Sequence, residues 1–210
     1  MPGEETIAFW LLPAAGARET LAALVAQLAE RCDAPTFEPH VTLAGGELGP
    51  PRANQILQTI SAREPIELEI ERIDFSEQYT KTLFLQFRSV PEIESLAAEI
   101  RRLCGGEDEF NPHSSLLYKE MPAAEKAELA RTIKVPFQQV RFDAVKTIQT
   151  PHPIHAREQV EAWRTLGWRQ LNPAADEHQN LWSARRGDDQ ADRDLSRERR
   201  RASSALRGRP

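Results

Sequence analysis

The chain has 210 residues, 40% hydrophobic and 28% charged, with a net charge of −5. This is enough apolar content for one large domain or two closely packed lobes; there is no run of 18 apolar residues, and Glu4, Glu5 and Arg18 stand where an export signal needs a basic start and an apolar stretch, so a soluble cytoplasmic protein is expected. The charge is uneven: from Arg185 onward nine arginines face five acids, which leaves the body at −9, unfavourable for long nucleic acid because phosphate neutralisation dominates such binding.

In chain order, residues 7–12 have strand length and β-favouring side chains, closed by Pro13. Leu21, Leu24, Val25 and Leu28 then fall on one helical face between residues 17 and 31. Asp33-Ala34-Pro35 closes that helix, and residues 37–44 form a strand that Gly45-Gly46 ends. Ala53, Ile56, Leu57 and Ile60 mark a second helix. Residues 66–71 alternate strictly, as an antiparallel strand with one wet face does. A strand at 82–87 is expected to pair with it or with the first strand, after a loop at 76–80.

A third helix ends near Leu103, a strand follows His113, and an amphipathic helix covers 123–133. One or two strands fill 137–150. A helix over 156–166 with Gly167 as its C-cap comes next, then a short strand and a helical turn carrying Leu181 and Trp182. Domain 1–184 precedes a tail, 185–210, too poor in apolar residues to offset its ordering entropy; it is expected to be disordered, with at most a weak contact to RNA or an anionic surface.

One heptapeptide occurs twice. Phe37-Glu38-Pro39-His40-Val41-Thr42-Leu43 returns as Phe110-Asn111-Pro112-His113-Ser114-Ser115-Leu116, F-x-P-H-x-[S/T]-L in both copies. Each copy follows an apolar strand, a proline and a helix, which predicts a duplication over 5–47 and 80–120 and two similar lobes about a pseudo-two-fold axis. Cys32 and Cys104 hold matching places at the ends of the two helices and read as semi-buried thiols in a reducing compartment.

Side chains alternate on a strand, so His40 and Thr42 share a face, as do His113 and Ser115. Two imidazoles that titrate near neutrality can serve as general base and general acid together. Hydroxyls and imidazolium N–H groups donate to phosphoryl oxygens as a phosphodiester opens. The His-x-Thr/Ser sequences hold no carboxylate or thiolate, and neither H-E-x-x-H nor C-x-x-C occurs, so no metal and no cofactor are expected. Trp10 is either a base-stacking platform or a sheet-covering aromatic. Lys81 and Thr82 could touch a phosphate or simply be solvated, and His152 and His155 belong to a cleft lid or a surface loop.

His40-Val41-Thr42-Leu43 and His113-Ser114-Ser115-Leu116 resemble the paired signatures of the two-histidine (2H) phosphoesterase superfamily. Phe9-Trp10-Leu11-Leu12-Pro13 and Ser115-Leu116-Leu117-Tyr118 resemble its plant and fungal cyclic phosphodiesterase branch. The resemblance, over roughly residues 5–170, implies a bilobal α+β fold: two pseudo-symmetric antiparallel-sheet lobes, helices outside, a water-filled cleft between. It implies metal-independent opening of small cyclic phosphates, nucleoside 2′,3′-cyclic phosphates and ADP-ribose 1″,2″-cyclic phosphate from tRNA splicing, by a monomer. His40 and His113 would be the acid/base pair, Thr42 and Ser115 the phosphate holders, and Tyr118 a further phosphate or ribose contact. On strict alternation Tyr118 faces away from His113 unless the strand bends or ends there. Rival expectations are an enzyme of RNA ends, of the 2′,5′ RNA ligase or 3′-end-trimming kind, and a non-catalytic nucleotide-binding module.

Overall fold

The structure, a computed structural model, describes residues 4–105 and 110–172. The tail at 185–210 and the turn around Leu181 and Trp182 lie outside the described residues. In order, the elements are β1 (Glu4–Pro13), α1 (Ala15–Cys32), β2 (Val41–Gly46), α2 (Pro50–Ile60), β3 (Ile66–Phe75), a 3-10 turn (Tyr79–Lys81), β4 (Leu83–Phe87), α3 (Pro91–Cys104), β5 (His113–Leu117), α4 (Ala123–Thr132), β6 (Gln139–His152), α5 (Arg157–Glu161) and β7 (Arg164–Gln170). Strand, helix and strand recur as β1-α1-β2 and β4-α3-β5, with β2 beginning just after His40 and β5 at His113.

All strand pairs are antiparallel, in the order β1-β2-β5-β4-β3-β6-β7, and β1 also pairs with β6. Six strands therefore close into a ring that reads as two half-sheets, β2-β1-β6-β7 and β5-β4-β3. They join at opposite ends: through β6, whose Phe142 pairs with both Pro13 of β1 and Ile66 of β3, and through one pair between β2 and β5. Of the two partners expected for β4, it takes β3, together with β5.

The helices pack crosswise. α1 covers β5 and α3 covers β2, while α2 lies on β6 and β7 and α4 on β3 and β4. Each half-sheet thus carries the helix of the other repeat beside one that lies outside both repeats, and the core of each lobe contains residues of both. Alternation on β1 sends Ile7, Phe9 and Leu11 into the core under the helices, whereas Trp10 and Leu12 join Ala144 and Ile148 on the cleft face. The α2 face is as predicted, with Ala53, Ile56, Leu57 and Ile60 all buried.

Three expectations change. The helix over 156–166 is only five residues long, and Leu166-Gly167-Trp168 belongs to β7. Gly167 is no cap: a Cβ there would meet Leu57 Cδ2 at 2.7 Å and Asn54 Oδ1 at 2.9 Å, so the glycine lets β7 lie close to α2. The first motif strand begins at Val41, not Phe37, and runs through Gly45 and Gly46. There Gly46 permits contact with α3, since a Cβ would stand 2.9 Å from the Cys104 carbonyl oxygen. Cys32 and Cys104 are free and half-buried. No helix among the described residues is long and apolar enough to cross a membrane.

Candidate active site

β2 and β5 touch at one register pair, Val41 opposite Ser114. Antiparallel register then sets His40 beside Ser115 and Thr42 beside His113. The two imidazoles occupy one diagonal of a rectangle and the two hydroxyls the other; on such a ladder direct neighbours stand about 4.5–5.5 Å apart and diagonal ones about 7–8 Å. All four side chains line a single cleft of about 700 Å³.

The x-Pro-His part of the motif orients each ring. His40 Nδ1 is 2.6 Å from the Glu38 carbonyl oxygen and His113 Nδ1 is 2.8 Å from that of Asn111. A residue before proline is held extended and the proline φ is fixed, so the carbonyl two positions back is aimed at the ring. A carbonyl only accepts, so each Nδ1 carries the proton and each neutral ring keeps its Nε2 lone pair. The residues that carry these carbonyls are anchored through their side chains: Lys146 Nζ donates to Glu38 Oε2 at 2.5 Å, and Gln86 Nε2 donates to Asn111 Oδ1 at 2.6 Å and to the Pro112 carbonyl at 3.0 Å.

The two histidines are not equivalent. His40, 5% exposed, stacks flat on Trp10 with centroids 3.6 Å apart and 8° between planes, and meets the edge of Trp163 at 6.2 Å. His113 is less buried and sits edge-on to Phe84 at 5.5 Å. Burial pushes His40 from 6.5 down to about 3, against the pull of its Glu38 hydrogen bond and with help from His113 and Lys146. Burial likewise brings His113 to about 4, opposed by the Asn111 hydrogen bond and aided by Lys81. Both rings are therefore neutral at pH 7, and an anion bound beside them would favour a proton on one.

This sets a pH dependence of stability. The unfolded chain protonates its histidines near 6.5, whereas the folded state resists until about 4 and 3, so stability is complete above pH 6.5 and is lost as pH falls below it. Thermal unfolding should show Tm dropping between pH 6.5 and 4, and added inorganic phosphate should restore most at the acid end. A Tm that does not change over that range, with or without phosphate, contradicts the buried neutral pair.

Ser115 Oγ donates to the Thr80 carbonyl at 2.8 Å, which ties the 3-10 turn to the motif strand. Strand β5 ends at Leu117, which frees Tyr118 from the alternation: it lies 4% exposed against the cleft, stacked on Phe37 at 4.0 Å. Burial raises the Tyr118 phenol well above its ordinary value. Trp10 lines the cleft at 4% exposure, with the ring face that a base would need covered by His40.

Lys81, His152 and Trp163 also line the cleft, while His155 stays on the loop before α5. Thr82 is structural: its hydroxyl donates to the Tyr79 and Lys119 carbonyls, both at 2.9 Å. Sequence reasoning passed over Trp163 and Gln86. Nothing local marks Trp163, which the short α5 and β7 bring into place; Gln86 stands out as the one polar residue in the apolar run Leu83-Phe84-Leu85-Gln86-Phe87. Among the described residues, no three His, Cys, Asp or Glu side chains gather as metal ligands would.

Known proteins share this fold. A fungal 2′,3′-cyclic-nucleotide 3′-phosphodiesterase from Phaeosphaeria nodorum is 28% identical over 155 residues, 64% of this chain and 78% of that protein. The E. coli LigT crystal structure in apo form superposes with a TM-score of 0.57 at 18% identity, covering 81% of this chain and 99% of LigT. A crystal structure described as a phosphoesterase gives 0.53 at 14% identity, over 80% and 99%. These likenesses carry the α+β fold with its large antiparallel sheet. The profile of the 2′-5′ RNA ligase superfamily matches residues 36–150, a stretch that contains both histidine motifs and more than half of the chain. By that match the chain belongs to the 2′-5′ RNA ligase superfamily, the two-histidine phosphoesterases.

Proposed function

We propose that the protein hydrolyses small cyclic phosphodiesters, nucleoside 2′,3′-cyclic phosphates first among them, by paired-histidine acid–base catalysis without a metal. The observation that carries this reading is the interleaved rectangle of His40, Ser115, Thr42 and His113 over one cleft, with both rings held as the same tautomer by backbone carbonyls. One neutral imidazole takes a proton from water through Nε2 while the water oxygen bonds to phosphorus. The ribose 3′ oxygen leaves phosphorus with its electron pair and takes the proton of the other ring, which binding of the anion has favoured in its imidazolium form. The products are a 2′-phosphomonoester and a free 3′ hydroxyl. Thr42 faces the phosphoryl oxygens, Ser115 ties the 3-10 turn to the motif strand beside them, and Trp10 holds His40. The 2′,3′-cyclic-nucleotide 3′-phosphodiesterase activity of the Phaeosphaeria nodorum relative supports the same reading.

Incubating the protein with adenosine 2′,3′-cyclic phosphate and separating the 2′- and 3′-monophosphates tests it directly. Turnover to the 2′-phosphate that survives EDTA is expected. Binding without turnover would make the chain a nucleotide-binding module, and activity confined to RNA ends would favour the RNA-processing reading. Thr42→Ala should lower kcat/KM about tenfold, through loss of one charge-assisted hydrogen bond, and Ser115→Ala should lower it as well, by releasing the Thr80 carbonyl and with it the 3-10 turn beside the cleft. An effect below twofold in both would remove the hydroxyls from the mechanism.

A further inference from the structure

The cleft holds more than a cyclic phosphate needs. Among the described residues that line it, Lys81 is the one lysine or arginine and Glu47 the one carboxylate. Lys81 is also held in place. Ser76 Oγ donates to its carbonyl at 2.7 Å, the preceding Thr80 carbonyl accepts the Ser115 hydroxyl at 2.8 Å, and the following Thr82 is bonded at both the Tyr79 and Lys119 carbonyls. Its ammonium stands 4.3 Å above the ring of Phe84, whose edge-on contact with His113 puts a single aromatic ring between the ammonium and the imidazole.

The acid that could neutralise Lys81 is already engaged. Asp74 accepts from Arg72 Nε at 2.9 Å and from the Phe75 N–H at 2.9 Å, and Lys81 makes no ion pair with any described carboxylate. A half-buried ammonium that lines a cleft and feels Asp74 only from beyond ion-pair distance is worth more to an anionic ligand than a solvated surface lysine. Thr42 and the two histidines already suffice for the reacting phosphoryl group, and a cleft of about 700 Å³ is roomier than one ribose cyclic phosphate requires.

We propose that Lys81, on the tied 3-10 turn beside Phe84, forms a second anion subsite that selects cyclic phosphates bearing another phosphoryl group, such as a 5′-phosphate on the same nucleoside. This rests on the cyclic phosphodiesterase reading above and specifies its substrate class. Lys81 acts there as a specificity residue, separate from the proton transfers.

The test compares kcat/KM for adenosine 2′,3′-cyclic phosphate with that for its 5′-phosphorylated form, using the full chain at low and high salt. The unmodified protein should prefer the 5′-phosphorylated substrate. Lys81→Gln should reduce that preference about tenfold, the loss of one charge-assisted contact, and Lys81→Arg should retain most of it. Salt should shrink the preference of the unmodified protein more than that of Lys81→Gln. A preference ratio that Lys81→Gln leaves unchanged, whether both substrates fall together or neither does, overturns the subsite and leaves the hydrolase reading standing. Failure of the unmodified protein to turn over either substrate overturns that reading and the subsite with it.

Discussion

Replacing His113 by alanine is expected to lower kcat by two or more orders of magnitude, the usual weight of a positioned proton donor or acceptor. The fold should survive, because His113 lies partly open at the mouth of the cleft and its backbone partner in β4 does not depend on the imidazole. His40→Ala should cost as much in rate but behave differently in stability. His40 is 5% exposed and sandwiched against Trp10, with Phe37 and Trp163 edge-on, so removing the ring leaves a hole on the cleft face of β1. A loss of about 1–3 kcal/mol is in the range for such a change. Single-turnover rates on the cyclic nucleotide, with denaturant curves on the same preparations, separate the two effects. Equal stability losses would mean that the burial difference between the rings is not felt, and a rate within tenfold of the unmodified protein for either variant would remove that histidine from proton transfer.

Phe142→Ala carries the largest expected loss of stability, about 3–5 kcal/mol for a fully buried aromatic. Its backbone is where the two half-sheets meet, paired with Pro13 on one edge and Ile66 on the other, and its ring packs edge-to-face on Phe87 at 5.5 Å. The opposite junction is the single pair Val41–Ser114, buried between the two His-x-Thr/Ser pairs. Loosening the β6 junction should therefore also disturb the spacing of the rectangle formed by His40, Ser115, Thr42 and His113. Urea unfolding should show the lowered midpoint, and kcat should fall at temperatures where the variant is still folded. A variant that loses stability but keeps full kcat would show that the β2–β5 pair holds its geometry without support from β6.

Much of this was legible from residues alone because the information was local. The strand-helix-strand repeat follows from hydrophobic period, and the face shared by His40 and Thr42, or by His113 and Ser115, follows from alternation. Legibility failed where a residue's role depends on an element distant in sequence. Gly167 reads as a helix cap because glycine commonly ends helices; its actual constraint is Leu57 and Asn54 on α2, more than a hundred positions earlier. Lys81 reads as a solvated strand-end lysine until Phe84, Asp74 and the Ser115 hydrogen bond are seen around it. Tyr118 reads as facing the wrong way because alternation holds only while the strand lasts, and β5 ends one residue before it.

The sequence by itself determined that two histidines and two hydroxyls would be presented in like fashion, since the duplicated F-x-P-H-x-[S/T]-L unit sets backbone extension, ring tautomer and side-chain face within a few residues. Only the tertiary structure decided that the two units meet as neighbouring strands at Val41 and Ser114, that the repeats exchange their covering helices, and that Trp10 and burial make His40 unlike His113. The physical reason is that proline geometry and alternation act over a handful of bonds. Register between distant strands, and the desolvation that moves an imidazole away from 6.5, are set by everything packed around them.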